Sequence, residues 1–282
     1  MRKLIFAVFS ATAAALACAQ TPPPCEPCAA WNVTQAPFRL YGNAYYVGVR
    51  GLSAVLITSD AGHILIDGDL PESVPKIAES IRSLGFRVED VKLILNSHVH
   101  YDHAGGIAEL QRLSGAKVAA SASSAKVLKS GQSGPDDPQF GILPPIAKVA
   151  RVDVFKDGET LRVGSLAVTA HLTPGHTPGG TSWSWKSCEK ERCLDLVYAD
   201  SLTPVSAPGF KFTTGDGVKS FEKSYATLEK LPCDVLITTH PEISDLWARL
   251  EKQALVNPEA CRNLVAGARE RLRQRIAEET PK

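Results

Sequence analysis

The sequence predicts an α/β protein of two mixed β-sheets packed face to face, with helices on the outside. Short strands rich in β-branched and aromatic residues alternate with amphipathic helical segments over most of the chain. The alternation occurs in two halves that share an order of strands followed by helices but no repeated sequence. The composition, 44% hydrophobic and 22% charged over 282 residues, is that of a globular chain with a sizeable core.

Residues 1–19 predict a secretory signal peptide. Arg2 and Lys3 precede an apolar run that ends at Leu16, and small residues surround the expected cleavage site. The run is too short to span a membrane, so we expect cleavage and export to the periplasm. A lipid anchor at Cys18 is the alternative, which is disfavoured because alanine stands where a lipoprotein signal usually has leucine.

The mature chain is nearly neutral. Loss of the two basic residues of the signal peptide leaves 31 − 2 = 29 basic residues against 30 acidic ones. Such a chain has no strong electrostatic attraction to nucleic acid or to an anionic membrane surface. We expect residues 20–30 to form an N-terminal extension and residues 31–282 to form a single domain.

The cysteines predict disulfide bonds. Of seven, Cys18 belongs to the signal segment, which leaves an even number in an exported chain. The candidate pairs are Cys188 with Cys193, Cys233 with Cys261, and Cys25 with Cys28. The first pair flanks the polar tip of a predicted hairpin, and the second would tie the last helix to a strand. The third pair could form a disulfide or bind a metal.

The first half of the chain predicts an antiparallel meander followed by alternating helices and strands. The meander strands are expected at 45–49, 53–58 and 63–67, separated by glycine-containing turns. An amphipathic helix over 72–85 ends at a glycine. The elements that follow are a strand at 91–95, a helix at 107–113, a strand at 117–120 and a short helix at 122–128.

A loop rich in Gly and Pro, residues 131–149, is too long for a plain connection. Loops of this size often line a site, so Phe140 and Ile142 are candidates for an apolar wall and Gln139 for a hydrogen bond. The alternative is a surface loop that buries its own aromatic ring. After the loop we expect strands at 151–155, 159–163, 166–172, 181–185, 194–198 and 234–238, and helices at 217–231 and 258–279.

Four potential metal ligands fall within six residues after the predicted strand 91–95: His98, His100, Asp102 and His103. Alternate residues of an extended segment share a face, so His98 and His100 can reach one cation. The turn that begins the next helix directs Asp102 and His103 towards a second cation. Imidazole and carboxylate at these spacings are what zinc coordination requires, whereas a surface loop merely rich in histidine is a poor explanation.

Two further histidines lie at the ends of predicted strands. His176 lies between two turns that contain proline and glycine, a rigid place from which to aim an imidazole. His240 directly follows the predicted strand 234–238. Every candidate ligand therefore lies at a strand end.

The stretch Asn-Ser-His-x-His-Tyr-Asp-His-Ala-Gly-Gly at 96–106 resembles the metallo-β-lactamase fold superfamily, and its subclass B3 in particular. Residues 175–183 and 207–209 carry the same resemblance, which covers most of residues 31–265. It implies a four-layer αβ/βα sandwich, with residues 31–282 as the catalytic domain and two zinc ions in a shallow groove between the sheets. It assigns His98, His100 and His176 to one zinc ion and Asp102, His103 and His240 to the other.

The resemblance also implies an activity: hydrolysis of the β-lactam amide bond of penicillins, cephalosporins and carbapenems, and hence antibiotic resistance. A hydroxide bridging the two zinc ions would attack the carbonyl, and Asp102 would hold that hydroxide as well as bind zinc. Ser201 and Thr203, with Ser206 as a third candidate, would bind the substrate carboxylate. The alternative for these hydroxyl groups is a role in turn formation.

A rival activity belongs to the same fold. Thioesterases of the glyoxalase II type, phosphodiesterases and lactonases use a similar His-x-His-x-Asp-His motif. In those enzymes a carboxylate at a strand end bridges both metals, and Asp200 lies one residue from that place. A non-enzymatic zinc-binding protein is a third alternative, which is disfavoured because the predicted sites leave positions open to water. We expect a monomer that acts on a small molecule, with no nucleic acid or membrane partner.

Overall fold

A computed structural model describes residues 25–280, which form a seven-stranded and a five-stranded mixed sheet. The predicted signal peptide and the alternative lipid anchor lie outside the described residues. None of the described helices is long and apolar enough to cross a bilayer.

The first sheet has its strands in chain order, β1 to β7. The strands are β1 (Phe38–Tyr41), β2 (Ala44–Tyr46), β3 (Val55–Ile57), β4 (His63–Ile66), β5 (Val91–Leu95), β6 (Lys117–Ala120) and β7 (Val152–Val154). The predicted antiparallel meander is confirmed as β2–β3–β4 and is extended by β1, which was not predicted. From β4 onwards the strands run parallel.

The second sheet has the order β12-β11-β10-β9-β8. Strands β8 to β11 are antiparallel neighbours, whereas β11 and β12 are parallel. The β10–β11 hairpin is longer than predicted. The strands are β8 (Thr160–Val163), β9 (Leu166–Leu172), β10 (Thr181–Glu189), β11 (Arg192–Ala199) and β12 (Val235–Thr238).

The helices follow the predicted pattern with local differences. The helix predicted over 72–85 is a 3-10 turn, Pro71–Ser73, followed by α2, in which Pro75 stands in the first turn, where its missing N–H costs nothing. Three short helices, α1, α3 and α7, were not predicted. The helices are α1 (Cys28–Trp31), α2 (Val74–Ser83), α3 (Tyr101–Ala104), α4 (Ile107–Ser114), α5 (Ala122–Ser130), α6 (Gly217–Leu228), α7 (Leu246–Glu251) and α8 (Ala260–Glu279).

Three buried apolar clusters join the layers, as the sandwich prediction requires. The central cluster fills the space between the two sheets and contains Tyr46, Trp183 and Tyr198. A second cluster joins the first sheet to α2, α4 and α5, and a third joins the second sheet to α6 and α8. The two sheets are therefore internal and the helices external.

The sulfur atoms of the predicted cysteine pairs lie at bonding distance. Those of Cys188 and Cys193 are 2.00 Å apart, at the tip of the β10–β11 hairpin. Those of Cys233 and Cys261 are 2.05 Å apart and connect α8 to the segment before β12. In the third pair, Cys25 and Cys28, the sulfur atoms face each other rather than being spread for a metal.

Strand direction brings the candidate ligands to one edge. Because β9 and β11 are both antiparallel to β10, they run in the same direction as β12. The carboxyl ends of β9, β11 and β12 therefore share one edge of the second sheet. The Thr181 N–H, at the start of β10, donates to the Ser97 carbonyl directly after β5 (2.9 Å), so the β5 end meets that edge.

Candidate metal centre

Three histidine rings form a buried triangle. His98 and His100 are alternate residues of the extended segment after β5, and His176 lies in the turn after β9. The ring centroids are 4.8 Å apart for each of the three pairs. Their ligand atoms lie close enough together to hold one ion. We call this trio the first cluster.

His98 and His176 each have one ring nitrogen, the Nδ1, that points away from the other rings of the cluster. We call it the outer nitrogen, and in both residues it contacts a protein acceptor. The Nδ1 of His98 lies 2.7 Å from a carboxylate oxygen of Asp200, and the Nδ1 of His176 donates to the Thr203 carbonyl (2.8 Å). This leaves the Nε2 of His98, which is buried and has no hydrogen-bond partner among the described residues. An imidazole nitrogen without a hydrogen bond, next to two other imidazoles, is suited to bind a metal ion. A neutral imidazole whose other nitrogen is hydrogen-bonded is a good metal ligand.

The second cluster consists of Asp102, His103 and His240. The Asp102 Oδ2 lies 3.2 Å from the His103 Nε2 and 3.3 Å from the His240 Nε2, and the two nitrogens are 3.2 Å apart. Bond lengths of 2.0–2.1 Å in a tetrahedral zinc site place neighbouring ligands about 3.3 Å apart. These three atoms therefore have the spacing of one face of a zinc tetrahedron.

The two clusters adjoin. The rings of His98 and His103 are 4.3 Å apart between centroids. The ligand atoms of His98, Asp102 and His103 also lie within 4.8 Å of one another. Two ions in these clusters would therefore be neighbours, as a dinuclear centre requires.

Burial and neighbouring charges shift the pKa values of several candidate metal ligands. Burial, followed by the neighbouring His100, lowers the pKa of His176 to about 3, and burial lowers the pKa of His98 well below its usual value. Burial alone would raise the pKa of Asp102, but the adjacent His103 and His240 hold it well below its usual value. Burial thus holds His98 and His176 in the neutral form, whereas Asp102 is ionised. Burial alone would lower the pKa of His240, but the hydrogen bond and charge of Asp102 raise it.

The position of Asp200 answers a question that the sequence left open. Asp200 is fully buried at the end of β11, and its carboxylate contacts His98 on the nitrogen that faces away from the cluster. Its backbone N–H donates to the Ser182 hydroxyl (3.0 Å). Asp200 therefore supports His98 from behind and does not lie between the two clusters.

Two of the hydroxyl-bearing residues predicted to bind substrate lie beside the metal clusters, and one of them, Thr203, contacts His176 of the first cluster. The Ser201 hydroxyl is 2.8 Å from that of Thr239, and the Thr203 hydroxyl is 3.3 Å from the His176 Nδ1. Ser201 and Thr203 line a cavity of about 110 Å³ whose wall includes His240. Ser206, the third candidate, instead accepts a hydrogen bond from Arg275 of α8 (2.7 Å).

The long loop reaches the first cluster. The Gln139 side-chain amide lies 3.3 Å from the His100 Nδ1. Phe140 is 49% exposed and shares a cavity of about 210 Å³ with His100, so the loop does not bury its own aromatic ring. Ile142 is also exposed, at 38%, and stands outside the lining of this cavity.

Sequence reasoning missed two supporting contacts. The carboxylate of Asp137, in the long loop, lies 3.1 Å from the His100 Nε2. The Gly51 carbonyl lies 3.2 Å from the His240 Nδ1. An acidic residue in a loop suspected of lining a site was only a weak signal for Asp137, because the sequence does not reveal that its side chain is buried. A backbone carbonyl leaves no trace in the sequence.

The chain matches a known protein family and several solved structures. Residues 47–240 match the model of the metallo-beta-lactamase superfamily. The chain is similar to Rm3 metallo-beta-lactamase, with 58% identity, a TM-score of 0.89 and coverage of 91% of this chain and 99% of that one. It is also similar to MEM-A1, a subclass B3 metallo-beta-lactamase from a soil metagenome library, with 52% identity, a TM-score of 0.87 and coverage of 88% and 98%.

Curated relatives with other activities are more distant. The N-acyl homoserine lactonase AttM of Agrobacterium fabrum is 27% identical over 230 residues, which cover 70% of this chain and 83% of that protein. A hydroxyacylglutathione hydrolase of Rhodopseudomonas palustris is 34% identical over 110 residues, which cover 39% of this chain and only 33% of that protein. With its two ligand clusters and its near-complete match to solved B3 structures, this chain belongs to the metallo-β-lactamase superfamily and, within it, to subclass B3.

Proposed function

We propose that the protein is a dinuclear zinc hydrolase that opens the β-lactam ring of penicillins, cephalosporins and carbapenems. The observation that carries the proposal is the second cluster, whose three donors have zinc spacing and stand beside a triangle of histidines. His98, His100 and His176 would hold one ion, and Asp102, His103 and His240 the other. Such an activity confers resistance to β-lactam antibiotics.

Zinc, when bound, supplies Lewis acidity and lowers the pKa of a coordinated water to about 7. The chain's own groups supply position. Asp102 is kept ionised by His103 and His240, so its carboxylate can accept a hydrogen bond from the attacking water and hold that water beside the scissile amide. The buried imidazoles exclude bulk water from the reacting centre.

Substrate orientation falls to the residues at the groove. The hydroxyl groups of Ser201 and Thr203 would donate to the carboxylate that these antibiotics share, next to the second cluster. Gln139 and Phe140 would contact the substrate from the long loop, with Ile142 at its exposed edge. Ser206 would act indirectly, since its hydroxyl is engaged by Arg275.

The position of Asp200 weighs against the thioesterase and lactonase alternative. A carboxylate that bridges two metals has to lie between the clusters, whereas that of Asp200 contacts the outer nitrogen of His98. The relatives with those activities are also less similar, at 27% and 34% identity in the two cases described. The β-lactam substrate is therefore favoured.

The cellular setting is part of the proposal. Residues 1–19 would direct export and be removed, which places the mature enzyme in the periplasm. An oxidising compartment suits disulfide bonds between the three cysteine pairs that lie at bonding distance. We propose that the mature enzyme is a monomer.

The test is hydrolysis of a carbapenem, of S-lactoylglutathione and of an N-acyl homoserine lactone by the purified mature protein, with and without a chelator. We expect chelator-sensitive opening of the carbapenem, two zinc ions per chain by elemental analysis, and little turnover of the other substrates. Turnover of the thioester or the lactone together with an inert carbapenem would refute the substrate assignment and leave the fold intact.

A further inference from the structure

The long loop makes a buried polar contact with the first cluster. Both carboxylate oxygens of Asp137 lie close to the His100 Nε2, at 3.1 and 3.2 Å. Both side chains are almost inaccessible, at 4% each. Burial of a carboxylate is costly unless its hydrogen bonds are satisfied, so the contact requires a specific loop conformation.

Backbone groups of the same loop also form hydrogen bonds with Asp137. The Asp137 Oδ1 also accepts from the Gln139 N–H (2.8 Å), and the Asp137 N–H donates to the Gly134 carbonyl (2.9 Å). The next residue, Pro138, accepts from the Ala207 N–H (2.8 Å), which ties the loop to the opposite wall of the groove. A single side chain thus connects the fold of the loop to the orientation of one imidazole.

We infer that Asp137 is a positioning residue for the first metal site, through which loop 131–149 and metal binding stabilise each other. The inference rests on the proposed function, since it assumes that the first cluster holds zinc. A carboxylate on the Nε2 fixes the tautomer of His100 with its proton on that outer nitrogen, so the Nδ1 is the acceptor that faces the metal site. The Gln139 side-chain amide lies 3.3 Å from the Nδ1, and zinc would displace it from that nitrogen.

The consequence is reciprocal coupling. If the contact helps His100 to bind zinc, then zinc must help the loop to keep its conformation by the same factor. Gln139 and Phe140, the proposed substrate contacts on this loop, would therefore be held more firmly in the metal-loaded enzyme. Loss of zinc from the first cluster would make them more mobile.

The test compares Asp137→Ala and Asp137→Asn with Asp136→Asn. Asp136 belongs to the same loop and carries the same charge, but its side chain is exposed, which makes it a matched control. Two quantities are measured on the full mature protein: the affinity for each zinc ion by chelator competition, and hydrogen exchange of residues 131–149 with and without zinc. Thermal melting establishes that each variant is folded.

We expect Asp137→Ala to bind one of the two zinc ions about 10–100-fold more weakly, which is the usual cost of losing an outer partner of a metal ligand. Asp137→Asn keeps one acceptor oxygen and should lose less. In wild type, zinc should slow exchange in the loop. In Asp137→Ala this zinc-dependent protection should disappear, and Asp136→Asn should resemble wild type.

Unchanged affinity for both zinc ions in a folded Asp137 variant would overturn the inference. If neither variant folds, wild-type hydrogen exchange alone decides, because a loop whose exchange is the same with and without zinc is not coupled to it. A wild-type protein that binds no zinc would instead refute the proposed function, so the two failures are distinguishable.

Discussion

The first and second clusters differ in how firmly the fold holds them. In the first, all three histidines have an outer nitrogen engaged by a protein acceptor, supplied by Asp137, Asp200 and the Thr203 carbonyl. In the second, the His103 Nδ1 is buried without a partner among the described residues, and the His240 side chain is 18% exposed. Each histidine of the first cluster therefore has a protein acceptor for its outer nitrogen. In the second cluster His240 has one, the Gly51 carbonyl, and His103 has none among the described residues.

This difference predicts which zinc ion exchanges more readily and which cluster contacts the substrate. Ligands fixed from behind lose little freedom on binding a metal, so the first cluster is preorganised. The second cluster is more exposed through His240, which lines the cavity that also contains Ser201 and Thr203, the proposed anchors of the substrate. We expect the first ion to be the structural foundation of the centre and the second to be more easily removed.

The largest effect should come from His240→Ala, which removes one of three donors from the weaker cluster. We expect the variant to keep about one zinc ion and to melt within a few degrees of wild type. Its kcat/KM should fall by more than about 100-fold, which exceeds the usual effect of removing a residue that only supports a metal ligand. Metal analysis, melting and carbapenem hydrolysis measure these. His171→Ala is the control, since His171 bonds Ser184 outside both clusters (2.8 Å). Loss of both ions and of the fold would show that the clusters are not separate.

A smaller effect is expected from Asp200→Asn, which weakens the support of the first cluster. The amide can still face the imidazole but is a poorer partner, so zinc at the first cluster should bind about 10–100-fold more weakly while the second is spared. Chelator competition followed by metal analysis separates the two. Asp195→Asn, on the same strand and paired with Lys186, is the control. Equal weakening of both ions would indicate a bridging carboxylate and revive the thioesterase alternative.

The smallest effect is expected from Gly51→Ala, which displaces a backbone support of the second cluster. An added Cβ would lie 2.6 Å from the Cα of Trp31, so the chain must shift, and with it the carbonyl that faces His240. We expect a loss of about tenfold or less in affinity for the second zinc ion. In the control, Gly267→Ala, the nearest atom is a flexible arginine tip at 3.4 Å. Preferential loss of the first ion would contradict the assignment of Gly51.

The comparison also shows what sequence can predict. The strand–turn–helix that carries His98 to His103 was predictable because its geometry is local, and the strand ends that carry His176 and His240 followed from periodicity. The outer partners were not predictable, since Asp137 and Gly51 reach their histidines through a long irregular loop and a backbone carbonyl. The ligand set itself remains a prediction that metal binding has to test.

Ser206 illustrates the same limit. The family resemblance suggested it as a third substrate contact after Ser201 and Thr203, and the structure shows that its hydroxyl accepts from Arg275, 69 residues away on α8. The helix boundaries shifted for a more local reason. The 3-10 turn at Pro71–Ser73 and the short α7 lack the length at which hydrophobic periodicity becomes visible.

The separation of the ligands along the chain governs when the centre can form. His103 and His240 are 137 positions apart, and His240 follows β12, the last strand in the described part of the chain. A nascent or truncated chain that ends before β12 has the histidine-rich motif but not a closed second cluster. Such contacts between distant residues form late in folding. Stable uptake of both ions would therefore report that the two halves have docked, which makes metal content a measure of correct folding.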